Sequence, residues 1–157
     1  MRSVLSRCNP PLRVLDFDYV DMRTKDFLWC FLHLPFLEEF RIVASDMSNN
    51  VIAALGQPDA NGVWPIPRLR TLVLRECNLI RSKFVAGMIV ARSSANLLPA
   101  HYDLTRCEEV EWQAVSSALE VAGALTIKGL SVHVEDVPPR IDEELHEAIQ
   151  VLDADQD

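Results

Sequence analysis

Four side chains in the second half of the chain could do chemistry together. His101 and Asp103 alternate in AHYDLTR, and His133 and Glu135 alternate in GLSVHVE. On neighbouring strands these two imidazoles and two carboxylates would share one face, a set suited to holding a metal ion or to acid–base hydrolysis. The spacing argues against it, because no H-x-x-x-H or H-E-x-x-H pattern fixes two ligands on one element. No catalytic residue, metal or cofactor is therefore expected, and a hydrolase or metal site around His101 and His133 ranks as the remote alternative. Cys77 has no His or Asn placed around it by any motif and is expected to be a buried turn residue, not a nucleophile. The glycines stand singly, so there is no Gly-rich phosphate loop. Trp64, in the loop QPDANGVWPIP, reads either as an interface anchor or as a side chain folded back over its own helix. Trp29 and Trp112 are expected to pack helices.

The composition bounds what else the chain can be. Its 157 residues make one domain, with an ordinary hydrophobic content of 49%. Cys8, Cys30, Cys77 and Cys107 are scattered without a C-x-x-C pair, so free and mostly buried thiols are expected. No basic n-region followed by an apolar h-region opens the chain, and no apolar run is long enough for a membrane span, which predicts a cytoplasmic or nuclear protein. From Glu135 onward nine acidic residues face one basic residue, Arg140, and this segment carries the whole net charge of −8. A neutral body with an acidic end argues against nucleic acid, which needs a basic face, and against an anionic membrane surface.

The elements that would position these residues are set by one stretch, Leu69 to Leu79, LRTLVLRECNL. Leu69, Leu72, Leu74, Cys77 and Leu79 fall on the five positions of the leucine-rich repeat pattern L-x-x-L-x-L-x-x-N/C-x-L. Leu72 and Leu74 alternate with Val73 and Arg75 as a strand with one buried face requires, and so short a strand needs like neighbours on both sides. Leu12, Leu15, Phe17, Val20 and Met22 occupy the same positions, and Leu37, Phe40, Ile42, Ser45 and Met47 repeat them 25 residues later. Helical spacing follows each set: Phe27, Leu28, Phe31 and Leu32 before Pro35; Val51, Ile52 and Leu55 after an N-cap at Ser48 or Asn49, closed by Gly56; and Phe84, Val85, Met88 and Ile89, alongside Ile80. The predicted fold is α/β, a short right-handed leucine-rich repeat solenoid with a parallel sheet on its concave side and helices on its convex side.

Four segments follow from this reading. Residues 1–11 read as the end of a preceding repeat helix, and 12–94 as three leucine-rich repeats. Residues 95–137 read as a capping strand, helix and strand, with Val115, Ala118, Leu119 and Ala122 buried. Residues 138–157 form an acidic tail with a possible short amphipathic helix. The opening in the middle of a repeat predicts a fragment, with a sheet edge at Leu12 through which the chain could self-associate.

The runs PLRVL and LRTLVLREC, the helix ending in VARSSA and the closing Gly-Leu-x-Val strand resemble the C-terminal half of fungal F-box-like proteins, within the cysteine-type leucine-rich repeats. The resemblance covers Leu12 to Glu135, and the F-box itself is absent. It implies the substrate-recognition portion of an F-box-like ubiquitin ligase adaptor, with a protein bound on the concave face. The alternatives are a stand-alone repeat scaffold or a non-functional fragment unrelated to ubiquitin. The residues alternating with the buried ones mark that face: Asp16, Asp18, Tyr19, Glu39, Arg41, Val73, Arg75, His101 and Asp103. Mixed charge with isolated apolar residues suits protein recognition better than a small-molecule pocket. Asp16–Arg41 and Asp18–Arg75 are the ion pairs expected if the face is simply a solvated sheet.

Overall fold

The computed structural model describes residues 11–20, 22–123 and 130–135. The expected opening helix end, but for Pro11, and the tail 138–157 lie outside the described residues. Strands β1 (Val14–Asp18), β2 (Glu39–Val43), β3 (Thr71–Arg75), β4 (His101–Thr105) and β5 (Ser131–Glu135) form one parallel sheet in the order β1-β2-β3-β4-β5. Between them run helices α1 (Thr24–His33), α2 (Asn49–Leu55), α3 (Ser82–Ser94) and α4 (Trp112–Val121). Sequential order with every pairing parallel makes this an α/β fold of solenoid-like β-α repeats.

Alternation along each strand sends one column of side chains inward. Leu15 and Phe17, Phe40 and Ile42, Leu72 and Leu74, and Tyr102 and Leu104 are buried against the helices, with Val132 and Val134 packed at the end. Phe17, Phe27 and Phe31 each meet Phe40 edge-to-face, with ring centroids 5.1 to 6.4 Å apart, which fixes α1 on the first two strands.

Both ends of β1, β2 and β3 are stitched to the next repeat. At the entrance the Arg13 carbonyl accepts from Glu38 N (2.8 Å) and Glu39 N (2.9 Å), Glu38 O accepts from Arg70 N and Thr71 N, and Arg70 O from Ala100 N and His101 N. At the exit the residue after the strand turns into the left-handed region: Tyr19 (φ 50°), Ala44 (50°), Glu76 (55°) and Arg106 (54°). The first three donate to the last residue of the following strand: Tyr19 N to Val43 O, Ala44 N to Arg75 O and Glu76 N to Thr105 O, at 2.9 to 3.1 Å. None of the four is glycine, so each corner carries a steric penalty of about 1–2 kcal/mol.

The corner turns the next side chain inward, producing a column of Val20, Ser45, Cys77 and Cys107. Ser45, Cys77 and Cys107 are buried. The Ser45 hydroxyl reaches the Val20 carbonyl and the Cys107 thiol the Leu74 carbonyl, so the column hydrogen-bonds backward from repeat to repeat. Beyond it the structure corrects the expected repeat positions. Five residues lie between strand end and helix start in the first two units, Asp18 to Thr24 and Val43 to Asn49, but six in the next two, Arg75 to Ser82 and Thr105 to Trp112. The extra residue swings Leu79 outward to 51% exposure and puts Ile80, and Val110 in the following unit, into the core where Met47 sits earlier.

Ser48 does stand at the N-cap of α2, but its hydroxyl bonds to Thr24 Oγ1 (3.0 Å) on the preceding unit, and Asn49 Oδ1 accepts from Arg81 N at the start of α3 (2.8 Å). The polar groups at these helix starts thus join neighbouring repeats. Gly56 closes α2 with an ordinary φ of −90°; the reason for glycine is space, since a Cβ there would lie 3.0 Å from Met88 Cα on α3.

The loop after Gly56 is ordered by two devices. The Asp59 carboxylate accepts from Asn61 N and Val63 N, both at 2.8 Å, and the Val63 bond above all holds its carboxyl below the usual range. At the loop's far end stands Arg92 of α3, which is fully buried without a carboxylate partner. Its guanidinium donates to Leu55 O (3.0 Å) at the end of α2, to Pro65 O (3.2 Å) and Ile66 O (3.0 Å) in the loop, and to Leu97 O (3.0 Å) after α3. Burial depresses its pKa, against the pull of nearby Tyr102.

Two stability predictions follow from corner and clamp. Arg92→Met takes the donor from the buried Leu55, Pro65 and Ile66 carbonyls and from the part-buried Leu97 carbonyl, and is expected to lower the unfolding free energy by roughly 3–5 kcal/mol, read as a lower urea midpoint. Ala44→Gly keeps the hydrogen bond to Arg75 and removes the steric penalty, so the urea midpoint is expected to rise by about 0.5–1 kcal/mol equivalent.

Candidate protein-binding face

The sheet face turned away from the helices is built in three rows. The middle row runs Asp16, Arg41, Val73, Asp103, His133 across the five strands; the row before it runs Val14, Glu39, Thr71, His101, Ser131. The third row carries Asp18, Val43 and Arg75, then Thr105 and Glu135. All nine residues predicted for recognition lie on this face or, for Tyr19, on its corner.

The two predicted ion pairs are replaced by others. Arg41 is the register partner of Asp16, yet its Nε donates to Glu39 on the same strand. Glu39 and Arg41 are two residues apart and therefore side by side on one face. Asp18 stands two strand spacings from Arg75, roughly 9.5 Å, with Val43 between them. Arg75 turns the other way and donates from Nε (3.0 Å) and Nη2 (2.5 Å) to Asp103 Oδ2 on the adjacent strand. Thr105 donates to the other Asp103 oxygen, and Arg106 pairs with Glu76 at 3.5 Å on the corner.

Asp103 is the centre of this arrangement. Only 6% of it is exposed, as with its neighbour Val73, whereas Val14 and Tyr19 at the β1 end are 51% and 76% exposed. Burial alone would raise the Asp103 carboxyl; the hydrogen bonds from Arg75 and Thr105, and the charges of Arg75 and His133, instead hold it below the usual carboxylate range. The same hydrogen bond raises the pKa of Arg75. Each ion pair uses a cation that could otherwise meet Asp16 or Asp18, and these two carboxylates remain exposed beside Tyr19.

His101, Asp103, His133 and Glu135 share the face but not a site. Asp103 faces His133, while His101 lies opposite Ser131 and Glu135 opposite Thr105. Among the described residues no three His, Cys, Asp or Glu side chains converge in a way that could hold a metal ion. Cys77 is buried and its thiol is pushed up, first by donating to Cys107 and then by burial, so it is protonated at neutral pH. Trp64 is half-buried, and Trp29 stacks on His33 with ring centroids 4.3 Å apart. Trp112 departs from the helix-packing expectation: it is the first residue of α4 and is 45% exposed, because the longer turn gives its inward place to Val110. On the helix side, Leu28, Phe31, Leu32, Ala54, Pro58 and Pro65 line an apolar groove of about 210 Å³.

Among the described residues no helix is long and apolar enough to cross a membrane. Comparison with family models, curated proteins and solved structures finds no match to this chain.

The Asp103 node gives a pH dependence of definite sign. A carboxyl with a folded pKa below its unfolded value of about 3.9 stabilises the fold above that pH, and the contribution is lost as pH falls through the folded value. Urea midpoints measured from pH 6 downward should therefore fall more steeply below about pH 4 for the wild type than for Asp103→Asn. Parallel curves would show that the node contributes nothing to acid sensitivity.

Proposed function

We propose that the chain is a non-catalytic protein-binding module of leucine-rich repeat type that receives a partner on the outer face of its sheet. The observation that carries this reading is the Arg75–Asp103–Thr105 node, which fixes polar groups on the outer face of a regular parallel sheet. Toward the β1 edge of the same face stand Tyr19, Asp16, Asp18 and Arg41, solvent-accessible groups of mixed charge on a regular scaffold. Aromatic and Arg side chains in such settings supply most of the energy of protein interfaces.

The role in a ubiquitin ligase is supported by the resemblance of Leu12–Glu135 to F-box-like proteins alone. A free-standing scaffold would use the same face without ligase subunits. Co-purification of cullin ligase subunits with the natural gene product separates the two readings.

The face itself is tested by charge reversal. Arg41→Glu with Arg75→Glu is expected to weaken capture of the protein's cellular partners at least about tenfold relative to wild type. Because Arg75 also supports Asp103, Tyr19→Ala with Arg41→Glu serves as a second variant that leaves the node intact. If both variants fold with wild-type circular dichroism and retain every partner, the sheet face is not the docking surface.

A further inference from the structure

The buried column at the sheet exits contains two cysteines at equivalent positions of successive turns, Cys77 and Cys107. The Cys77 thiol lies against the Arg75 carbonyl (3.4 Å) and donates to the Cys107 sulfur; the Cys107 thiol reaches Leu74 O (3.3 Å), the neighbouring carbonyl of the same strand. The Glu76 N to Thr105 O bond of 3.0 Å shows that the register of β3 and β4 continues through these corners. Equivalent positions on paired strands lie roughly 4.8 Å apart, inside the window of about 4.4–6.8 Å between Cα atoms that a disulfide spans.

We infer that Cys77 and Cys107 form a dithiol–disulfide couple, a lock between the third and fourth repeats that a peroxide closes. In the closed corner the Cys107 sulfur accepts from the Cys77 S–H, which lowers its pKa; when the corner opens, the Cys107 thiol gives its proton to water. Its thiolate attacks one oxygen of hydrogen peroxide, the O–O bond breaks, and hydroxide leaves to give the Cys107 sulfenic acid. The Cys77 sulfur then displaces the hydroxyl, and its proton leaves with that hydroxyl as water. Two thiols and one peroxide thus become one disulfide and two waters. Both sulfurs are buried, at 0% and 2% exposure, so the reaction proceeds through local opening of the corner and is slow. Its product joins the turns directly behind the Arg106–Glu76 pair and the Arg75–Asp103 node.

Ser45 supplies the control, since it shows serine seated in the same column with its hydroxyl on a backbone carbonyl. The full chain is treated with hydrogen peroxide, remaining thiols are blocked, and peptides are mapped by mass without reduction. A Cys77–Cys107 linked peptide lacking two hydrogens is expected, with a melting temperature higher by roughly 5–10 °C that reverts on reduction. Cys107→Ser should fold, lose the linked peptide and melt alike with and without peroxide. The proposal is overturned if both cysteines emerge as blocked thiols or sulfinic acids, if either links to Cys8 or Cys30 instead, or if the link forms without raising the melting temperature.

Discussion

Strands β1 to β4 all leave the sheet through the same strained corner, and the stacking of the repeats depends on it. A residue held near φ 50° after each of four strands reverses the side-chain phase, so that the residue following it points into the core and the chain can return along the helix layer. The N–H of the corner is also the donor that closes the exit end of the sheet against the next strand. Strain of this kind persists only where the surroundings over-determine the conformation. Here the over-determination is repetition: each corner is braced by the next, and the cross-repeat bonds at the strand entrances hold the other end.

The face available to a partner is a by-product of that geometry. Because the rows are in register, a charged residue can reach only the groups two positions away on its own strand and those beside or diagonal to it on the next. The pairs that form are the short ones, Glu39 with Arg41 and Arg75 with Asp103. The sheet is therefore rigid and internally neutralised toward β3 and β4, and acidic and aromatic toward β1.

Much of this was legible in the sequence, and the misses have physical causes. All five strands and all four helices sit where alternation and helical spacing put them, because burial on one face is a strong and local constraint. Leu79 was placed inward by a pattern that assumes a fixed turn length, and one extra residue in the turn reversed it. The ion pairs were misassigned because sequence spacing does not say which of several neighbours a long Arg side chain will choose. Cys107 belongs to the same column as Cys77, 30 residues later and two past its strand, but no leucine pattern flanks it to mark the slot. Arg92 left a clearer trace: it falls in phase with Val85 and Met88 on the buried stripe of α3, and a charge at such a position calls for a buried acceptor set.

The acceptor set that Arg92 found has a consequence for how the chain could be cut and joined. Three of the four carbonyls it binds belong to the end of α2 and to the loop of the second repeat, while Arg92 itself belongs to the third. The second repeat therefore does not own the residue that holds its loop in shape. A transplant of that repeat alone into another array would arrive with its loop unmoored, whereas the second and third repeats moved together carry loop and anchor as one piece. Shuffling of this chain, by recombination or by a designer, has no joint between α2 and α3.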